Sequence, residues 1–394
     1  ITLVDRGNHH LFQPLLYQVA TAGLSAPDIA APLRHILRAQ RNVEVRMANV
    51  TGIDADAKRI ELDDGSSLDF DALLLASGAT HAYFGNDHWA AHAPGLKTLD
   101  DALDLRRKLL LAFERAEAAT DSAERDAWLN FAIVGGGPTG VELAGTLAEI
   151  ARHTLQDEFR NIDPSRARVR LIEAGPRVLA SFPDALSAKA KRQLEKLGVE
   201  VALGTPVKDI NADGYTLGDT FVPARTVVWA AGVAASPLGA MLGVPLDRAG
   251  RVQVQPDLSV PGHPDIFVAG DLAALLQANG KPVPGVAPAA KQMGKLAARN
   301  IRARLSGSKT AAFAYKDYGN LATIGRMAAV VDLGRLKFSG LLAWWFWLVM
   351  HVFFLIGFRN RLVVLLNWWW AYWSYQRAAR IILGDSRAPP SGRS

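Results

Sequence analysis

The stretch that decides the fold is 131–145, FAIVGGGPTGVELAG, in the middle of the chain. A short apolar strand leads into a glycine-rich turn, and a helix-forming segment follows, as in the G-x-G-x-x-G dinucleotide-binding motif. Gly135 permits the tight turn, Gly137 lets the backbone approach a pyrophosphate, and Gly140 lets the helix pack closely on the strand. Because the first N–H groups of such a helix face the phosphates, the sequence predicts a Rossmann-like domain that binds a dinucleotide.

Glu173 supplies the acidic residue that such a domain needs, directly after the apolar run 169–172. A carboxylate at the end of the second strand accepts hydrogen bonds from the adenosine ribose hydroxyls, which favours NADH over NADPH. The gap from Gly140 exceeds the usual spacing of about 20 residues, and we assign the excess to an extended helix over 142–159 and a loop at Asp163. The alternative is that Glu173 is only a surface acid.

The parts of this domain recur elsewhere in the chain. Residues 1–5, ITLVD, match 169–173, VRLIE, and residues 72–78, ALLLASG, match 226–232, TVVWAAG. Gly78 and Gly232 end buried strands at points where a nucleotide can lie close to the backbone. The repeated order predicts two dinucleotide-binding domains. The first copy shows no glycine loop, so we expect a strand, a glycine turn and a helix of roughly 30 residues to precede Ile1.

Composition excludes several classes of protein. The 394 residues include no cysteine, which rules out disulfide scaffolds, thiolate metal sites, iron–sulfur clusters and redox-active cysteine pairs. We expect no metal site. The net charge is +6, and residues 359–394 hold six arginines and one aspartate. A net positive charge concentrated at one end, after an apolar segment, does not form the extended face that nucleic-acid binding needs.

That apolar segment is the second informative feature. Residues 338–358 carry no formal charge, residues 362–375 form another apolar run, and seven of the ten tryptophans lie between Trp344 and Trp373. Tryptophan and tyrosine favour the headgroup boundary of a bilayer, and arginine suits anionic lipid on the cytoplasmic side. Two helices lying in the interface explain both features. The alternatives are a single membrane span and a buried pair of core or dimer helices.

The rest of the chain yields a coarse plan. Residues 43–70 are typical of β-strands, and 99–124 predict one charged amphipathic helix that joins the domains. Residues 264–271, PDIFVAGD, predict a buried strand that ends in Gly270-Asp271 before a helix at 272–274. An aspartate there can bind the ribityl chain of a flavin while the helix N-terminus faces its pyrophosphate. The alternative is that Asp271 only caps that helix.

Taken together, these pieces resemble the type II NADH dehydrogenases, the non-proton-pumping NADH:quinone oxidoreductases of membranes. The resemblance covers essentially the whole chain. It rests on these stretches: Asp5-Arg6, His9 to Gln18, Tyr83-Phe84-Gly85, Gly135 to Glu142, Ala269-Gly270-Asp271, Ala289 to Gly294, and Ala322 to Arg326.

The resemblance implies an α/β fold with an NADH domain inserted in an FAD domain, followed by a C-terminal membrane-associating helical segment. We expect FAD domain parts at 1–128 and 251–320, an NADH domain at 129–250 and the membrane region at 321–394. The implied partners are non-covalent FAD, NADH, a membrane quinone and a second copy of the chain. The implied location is the cytoplasmic face of the cell inner membrane.

The resemblance also assigns residues. Asp5 binds the FAD ribose, and Gly270 and Asp271 lie on the flavin side. The positions Gly135, Gly137, Gly140 and Glu173 hold NADH. Glu142 lies near the contact of nicotinamide and flavin, where it is the candidate catalytic proton carrier, or it is an ordinary first-turn glutamate. Ala289 and Gln292 fall in the quinone-site pattern, although Pro288 stands in this chain where the pattern has its first glutamine. The alternative is that Gln292 is only a residue of the helix surface.

Two other functions fit the same pattern. One is a soluble NADH-dependent flavoprotein reductase with a different electron acceptor. The other is a non-enzymatic protein that senses NADH on the same fold. The Trp-rich segment argues against the soluble reductase. In the sensor, the flavin would stay reduced and quinone would not reoxidise it.

Overall fold

The structure is a computed structural model that describes residues 1–377 and 379–382. The last residues, with Asp385, Arg387 and Arg393 of the basic tail, lie outside the described part. By contacts the chain divides into two units. The first comprises Ile1–His9, Pro32–Ala82 and Val233–Tyr318, and the second comprises His10–Ala31, Tyr83–Gly232 and the described residues from Gly319 onward.

The elements follow one another in chain order. The described helices are α1 (Leu16–Ala20), α2 (Ala26–Ile29), α3 (Leu33–Leu37), α4 (Leu99–Ala118), α5 (Ser122–Trp128), α6 (Pro138–Glu149), α7 (Asp184–Lys196), α8 (Ala287–Leu305), α9 (Leu341–Phe354) and α10 (Phe358–Ser374). The described strands are β1 (Thr2–Asp5), β2 (His9–Leu11), β3 (Ala30–Pro32), β4 (Glu44–Met47), β5 (Val50–Asp54), β6 (Arg59–Leu62), β7 (Ser67–Asp69), β8 (Leu73–Leu75), β9 (Ala79–His81), β10 (Asn130–Val134), β11 (Arg168–Glu173), β12 (Val199–Leu203), β13 (Val207–Ile210), β14 (Gly214–Leu217), β15 (Thr220–Pro223), β16 (Thr226–Trp229), β17 (Val233–Ala235), β18 (Val252–Gln253), β19 (Ser259–Val260), β20 (His263–Val268), β21 (Ala273–Ala274), β22 (Asn320–Gly325), β23 (Ala328–Asp332) and β24 (Lys337–Ser339).

The first unit contains parallel strand pairs of the predicted nucleotide-binding type. Strand β1 pairs with β4, and β8 pairs with β20, both in parallel register. Strands β5, β6 and β7 form an antiparallel meander over the region predicted to be β-rich. Helix α8 packs on β20, and Phe267 and Met293 lie in the apolar core of this unit.

The second unit is built on a parallel sheet in the order β12-β11-β10-β16. The alternation of parallel strands with helices α6 and α7 is the arrangement of a dinucleotide-binding domain. Strands β22, β23 and β24 form a separate antiparallel sheet. The core of this unit also includes buried residues of helices α4, α6 and α9. The α/β fold with two Rossmann-like domains is therefore confirmed.

Three details of the helix prediction are wrong. The helix predicted over 99–124 is two helices, because Ala119 is extended and Asp121 caps a new helix by accepting a hydrogen bond from the Glu124 N–H at 2.8 Å. The helix predicted over 142–159 stops earlier, since α6 continues only through a π-helical turn over Ile150–Thr154.

No α-helix begins directly after Asp271 in the described chain. A 3-10 turn covers Gly270–Leu272, and the chain then extends because Ala273 pairs with Val252 in a parallel bridge of β18 and β21. The next helix starts at Ala287. Both the helix-dipole argument for a flavin pyrophosphate at this point and the alternative N-cap role of Asp271 are therefore wrong.

The apolar run 338–358 is not one helix. Helix α9 stops at Phe354, Leu355 is extended, and Gly357 turns the chain with φ of +84° before α10 begins. Within the described residues, none of the helices has both the length and the apolar character needed to cross a bilayer.

The segment boundaries at 128, 250 and 320 remain a prediction. The contact-defined units group the chain differently: residues 83–128, with helix α4, belong to the second unit, and residues 233–250 belong to the first.

Candidate functional site

The glycine turn after β10 is held by close backbone contacts. Gly135 has φ of +114°, and a Cβ there would lie 2.5 Å from the carbonyl of Ala230. A Cβ on Gly140 would lie only 1.9 Å from the carbonyl oxygen of Gly135. The Gly135 N–H donates to the Ile172 carbonyl at 2.7 Å. Both glycines are therefore needed by this backbone, as the motif predicts.

The outer side of the same turn is open. A Cβ on Gly137 would meet nothing within 4 Å, and Gly137 is the N-cap of α6 without any side-chain cap. Pro138 at the first helical position lacks an N–H, and Thr139 after it is exposed. An uncapped helix N-terminus beside open space is the arrangement that binds a pyrophosphate. The residues present therefore fit a dinucleotide.

Glu173 lies beside this turn, in the predicted register at the end of β11. Its Oε2 accepts the Gly136 N–H at 2.6 Å, and its Oε1 accepts the Gly175 N–H at 2.7 Å. Each oxygen retains a lone pair for a further donor. Glu173 is thus anchored to the glycine turn and is not a detached surface acid. Gly232, after β16, is partly exposed in the same unit.

The first unit places the candidate FAD residues at strand ends and turns. Asp5 ends β1 and accepts the Gly7 N–H at 2.7 Å. Gly78 follows β8 with φ of +68° and open space around it, and Gly270 follows β20 with φ of +75°. The Gly270 N–H donates to the Met293 sulfur at 3.3 Å.

Asp271 is the most informative of these residues. Its carboxylate is partly buried and has no hydrogen-bond partner among the residues that the structure describes. Gly285 lies beside this carboxylate and has no side chain to cover it. A Cβ on Gly285 would lie 3.5 Å from the Asp271 Oδ1, in van der Waals contact. A partly buried acid without a partner suits a hydroxyl-bearing ligand, so these residues fit the ribityl chain and ribose of FAD.

The candidate quinone residues lie on α8. Ala289 is 2% exposed and belongs to the core of the first unit. Gln292 is partly buried, and its amide exchanges two hydrogen bonds with the backbone of Lys316, at 2.9 and 3.0 Å. Its side chain therefore anchors the segment before β22, and one amide hydrogen is left for another acceptor.

The edge strand β22 packs against one face of helix α6. Gly145 allows this contact, because a Cβ there would lie 1.5 Å from the Ile324 carbonyl oxygen. Glu142 Oε1 accepts the Thr323 N–H at 3.4 Å, and Glu149 Oε1 accepts the Arg326 N–H. These two carboxylates thus accept hydrogen bonds from backbone N–H groups along the edge of β22 that faces away from β23.

The environment of Glu142 contradicts the reading as an ordinary first-turn glutamate. The residue is only 9% exposed. Burial raises the pKa of its carboxyl to about 8, and the hydrogen bond from Thr323 opposes this only weakly. At neutral pH the group therefore holds a proton.

Sequence reasoning missed three ionisable residues that lie around this face. Burial, and then the charge of Glu142, raises the pKa of Tyr17 well above its ordinary value. Arg377 donates to Glu149 at 3.4 Å and to the Thr21 carbonyl at 3.2 Å. Burial raises the pKa of Glu149 and lowers that of Arg377, while their attraction opposes both shifts. The seven-residue spacing of Glu142 and Glu149 on an apolar helix was the available signal.

Comparison with known proteins agrees with this architecture. The family model described as pyridine nucleotide-disulphide oxidoreductase matches residues 1–294, and the NDH2 C-terminal domain model matches residues 318–372. The type II NADH:quinone oxidoreductase Ndh of Mycobacterium tuberculosis is 46% identical over 98% of this chain and 86% of its own length. The type II NADH:quinone oxidoreductase of Staphylococcus aureus is 32% identical over 82% of this chain and 80% of its own.

Two solved structures share the fold. The structure of NDH2 from Plasmodium falciparum in complex with NADH has a TM-score of 0.86 at 20% identity, over 97% of this chain and 94% of that one. The sulfide:quinone oxidoreductase of Aquifex aeolicus has a TM-score of 0.71 at 19% identity, over 92% and 86%. With the family models and the relatives, these findings show that the chain belongs to the type II NADH:quinone oxidoreductase family.

Proposed function

We propose that this chain is an FAD-dependent NADH:quinone oxidoreductase that oxidises NADH, reduces a membrane quinone and pumps no protons. The observation that carries the proposal is the open glycine turn with Glu173 fixed beside it, in a chain 46% identical to an enzyme named for this reaction. The lack of cysteine separates it from the disulfide reductases within the broader family.

The second unit would bind NADH. The N–H groups at the start of α6 face the pyrophosphate, and Gly137 gives it room. The carboxylate of Glu173 accepts the ribose hydroxyls and repels a 2′-phosphate, which selects NADH over NADPH. Gly232 follows β16, three residues after its end, and would leave backbone accessible to the same ligand.

The first unit would hold FAD. Asp5 would accept the ribose hydroxyls at the end of β1, and Asp271 would accept the ribityl hydroxyls. Gly78 and Gly270 would let the cofactor approach the backbone at two strand ends. When bound, FAD takes a hydride from NADH and releases two electrons to a quinone.

Protons for quinone reduction must come from groups that hold them at neutral pH. Glu142 meets this condition, because burial raises its pKa to about 8. A protonated carboxyl can donate and then recover its proton from solvent. We assign it the role of proton carrier, and we assign Gln292, with its remaining amide hydrogen, as a quinone contact in the site that includes Ala289.

Helices α9 and α10 would lie on the membrane surface, at the cytoplasmic face of the cell inner membrane. They expose many large apolar side chains, which soluble surfaces seldom do. Those exposed are Leu341, Leu342, Trp345, Val349, Phe353, Phe354, Phe358, Leu362, Leu365, Leu366, Trp369, Trp370 and Trp373. Tryptophans of this kind suit the headgroup boundary. The same surface could serve a homodimer, which is the second occupant that the family resemblance suggests.

The test is NADH oxidation by the purified flavin-loaded protein with a soluble quinone, together with flotation on vesicles. Quinone-dependent turnover with NADH preferred over NADPH, and flotation with the vesicles, is the expected result. Turnover with another acceptor and no flotation would support a soluble reductase. NADH binding without turnover would support the sensor.

A further inference from the structure

A cavity of about 430 Å³ lies in the second unit, between α4, the chain that follows α6, and the end of α10. We call it the C-terminal cavity. Among the described residues, none that line it belongs to the glycine turn or to the candidate cofactor and quinone positions. Its volume falls within the range of small-molecule sites, roughly 300–1,000 Å³.

The floor and the mouth of the C-terminal cavity are apolar. Leu110, Phe113 and Leu155 line it and are 9%, 1% and 4% exposed. Trp370 and Ile381 also line it and are 55% and 63% exposed. An apolar floor that continues into exposed apolar side chains suits a hydrocarbon chain that enters from an apolar phase.

Two arginines in the wall keep unused hydrogen-bond donors. The Arg380 Nε donates a hydrogen bond to the Arg377 carbonyl. Its Nη1 donates to the Glu158 carboxylate at 2.6 Å and to the Thr154 carbonyl. Both hydrogens of its Nη2 are without an acceptor among the residues that the structure describes. Arg377 makes only the two long bonds to Thr21 and Glu149 in the described chain. A guanidinium has five N–H donors, and those without an acceptor can bind a phosphate.

A free acid lies in the same wall. Glu114 of α4 is exposed and has no hydrogen-bond or ion-pair partner within the described ranges. Since Glu158 is occupied by Arg380, the charged groups left for a ligand are arginine donors and the Glu114 carboxylate, beside the uncharged side-chain amide of Gln376. A sphere of the cavity's volume is about 9 Å across, so one headgroup can reach both.

We propose that the C-terminal cavity binds one phospholipid whose headgroup carries both a phosphate and a primary ammonium. The phosphate meets Arg377 and Arg380, the ammonium meets Glu114, and an acyl chain lies between Phe113 and Ile381. This rests on the proposed membrane-surface position of α9 and α10. A phosphatidylethanolamine pairs both the arginine donors and the Glu114 carboxylate, whereas a phosphatidylglycerol leaves Glu114 unpaired and a phosphatidylcholine has no N–H to offer it.

The experiment uses short-chain lipids below their micelle concentrations, so that binding to a bilayer surface does not contribute. The delipidated full chain is titrated calorimetrically with dihexanoyl-phosphatidylethanolamine, and separately with the phosphatidylcholine and phosphatidylglycerol of the same chains. Inorganic phosphate and hexanoate are the remaining arms. One site per chain, with the ethanolamine lipid bound about tenfold tighter than the other two, is expected. Phosphate and hexanoate should bind at least a hundredfold more weakly.

Two variants separate the headgroup contacts. Glu114→Gln should abolish the preference for the ethanolamine lipid and leave the affinity for phosphatidylglycerol unchanged or higher. Arg380→Gln should weaken all three lipids about tenfold. Matched controls are Asp104→Asn on the same helix α4 and Arg359→Gln on α10, both exposed and outside the cavity. If Arg380→Gln fails to fold, Ile381→Ser serves in its place and should also weaken all three lipids.

Equal affinity for the three lipids, a preference that survives Glu114→Gln, or phosphate alone binding as tightly would overturn the proposal. The titration contains neither NADH nor quinone. Quinone-dependent turnover without selective lipid binding would therefore refute this inference alone, and selective binding without turnover would refute the proposed activity alone.

Discussion

Replacing Gly145 by alanine should separate strand β22 from helix α6. A Cβ at this position would lie 1.5 Å from the Ile324 carbonyl oxygen and 2.7 Å from its carbon. Because ordinary contact begins near 3.4 Å, the strand would have to retreat by about 2 Å. That movement would also withdraw the N–H groups of Thr323 and Arg326 from the carboxyls of Glu142 and Glu149.

The expected cost combines three effects. Overpacking of a filled contact costs about 2 kcal/mol. The two backbone hydrogen bonds contribute about 1 kcal/mol each. Alanine in the middle of a helix returns about 1 kcal/mol relative to glycine. The free energy of unfolding should therefore fall by about 3 kcal/mol, which lowers Tm by roughly 9 °C for a unit of this size.

Thermal unfolding followed by circular dichroism at a fixed scan rate measures this effect. Gly294→Ala is the matched control, because Gly294 also lies inside a helix, α8, and a Cβ there would meet nothing within 4 Å. The control should leave Tm unchanged or raise it. Equal Tm changes in the two variants would refute the account of how β22 is held.

Three further predictions concern the candidate site. Glu173→Gln should lower the preference for NADH over NADPH about tenfold, because the amide no longer repels a 2′-phosphate; binding titrations with both cofactors measure this. Asp271→Asn should lower the flavin content of the purified protein, because the amide replaces a carboxylate that accepts from ribityl hydroxyls; flavin absorbance per protein measures this. The wild type should lose stability as the pH rises from about 4.5 to about 8, by at most about 1.4 kcal/mol per pH unit, and Glu142→Gln should not show this loss; Tm against pH measures this.

The stability that Glu142 affects falls with rising pH because its pKa is raised in the folded chain. Burial raises the pKa of Glu142 in the folded chain to about 8 from 4.5. Over that interval the folded state holds a proton that the unfolded state releases, so stability is full below pH 4.5 and falls as pH rises to 8. Parallel pH profiles for the wild type and Glu142→Gln would contradict the burial effect.

The other two predictions also have clear contrary outcomes. An unchanged NADH preference in Glu173→Gln would mean that the carboxylate serves the glycine turn alone. Asp265→Asn is the control for Asp271→Asn, since Asp265 lies within the β20 strand that precedes Asp271 but is paired with Lys58 and Arg304. Equal flavin content in the two variants would remove Asp271 from the cofactor site.

Local patterns predicted the glycine turn and the acid beside it. Gly135 has a left-handed φ, Gly140 contacts the Gly135 carbonyl oxygen within the same turn, and Glu173 follows its strand directly, so a short window of sequence carries the information. The break before α5 was also readable, because Asp121 followed three residues later by Glu124 is an N-cap pattern.

Long-range contacts set what the sequence could not show. Ala273 extends because it pairs with Val252, and no local signal marks that pairing. Glu149 and Arg377 are 228 residues apart in sequence and meet only in the fold. The arginines after α10 suggested a lipid surface, yet Arg377 is directed into the second unit instead, because Glu149 and the Thr21 carbonyl accept from it there.

The decisive measurement for NADH:quinone oxidoreduction is anaerobic stopped-flow absorbance on the flavin-loaded protein, with NADH added first and a soluble quinone second. We expect rapid bleaching of the flavin absorbance by NADH, much slower bleaching by NADPH, and full recovery on addition of the quinone. Bleaching without recovery would contradict the assignment as an NADH:quinone oxidoreductase.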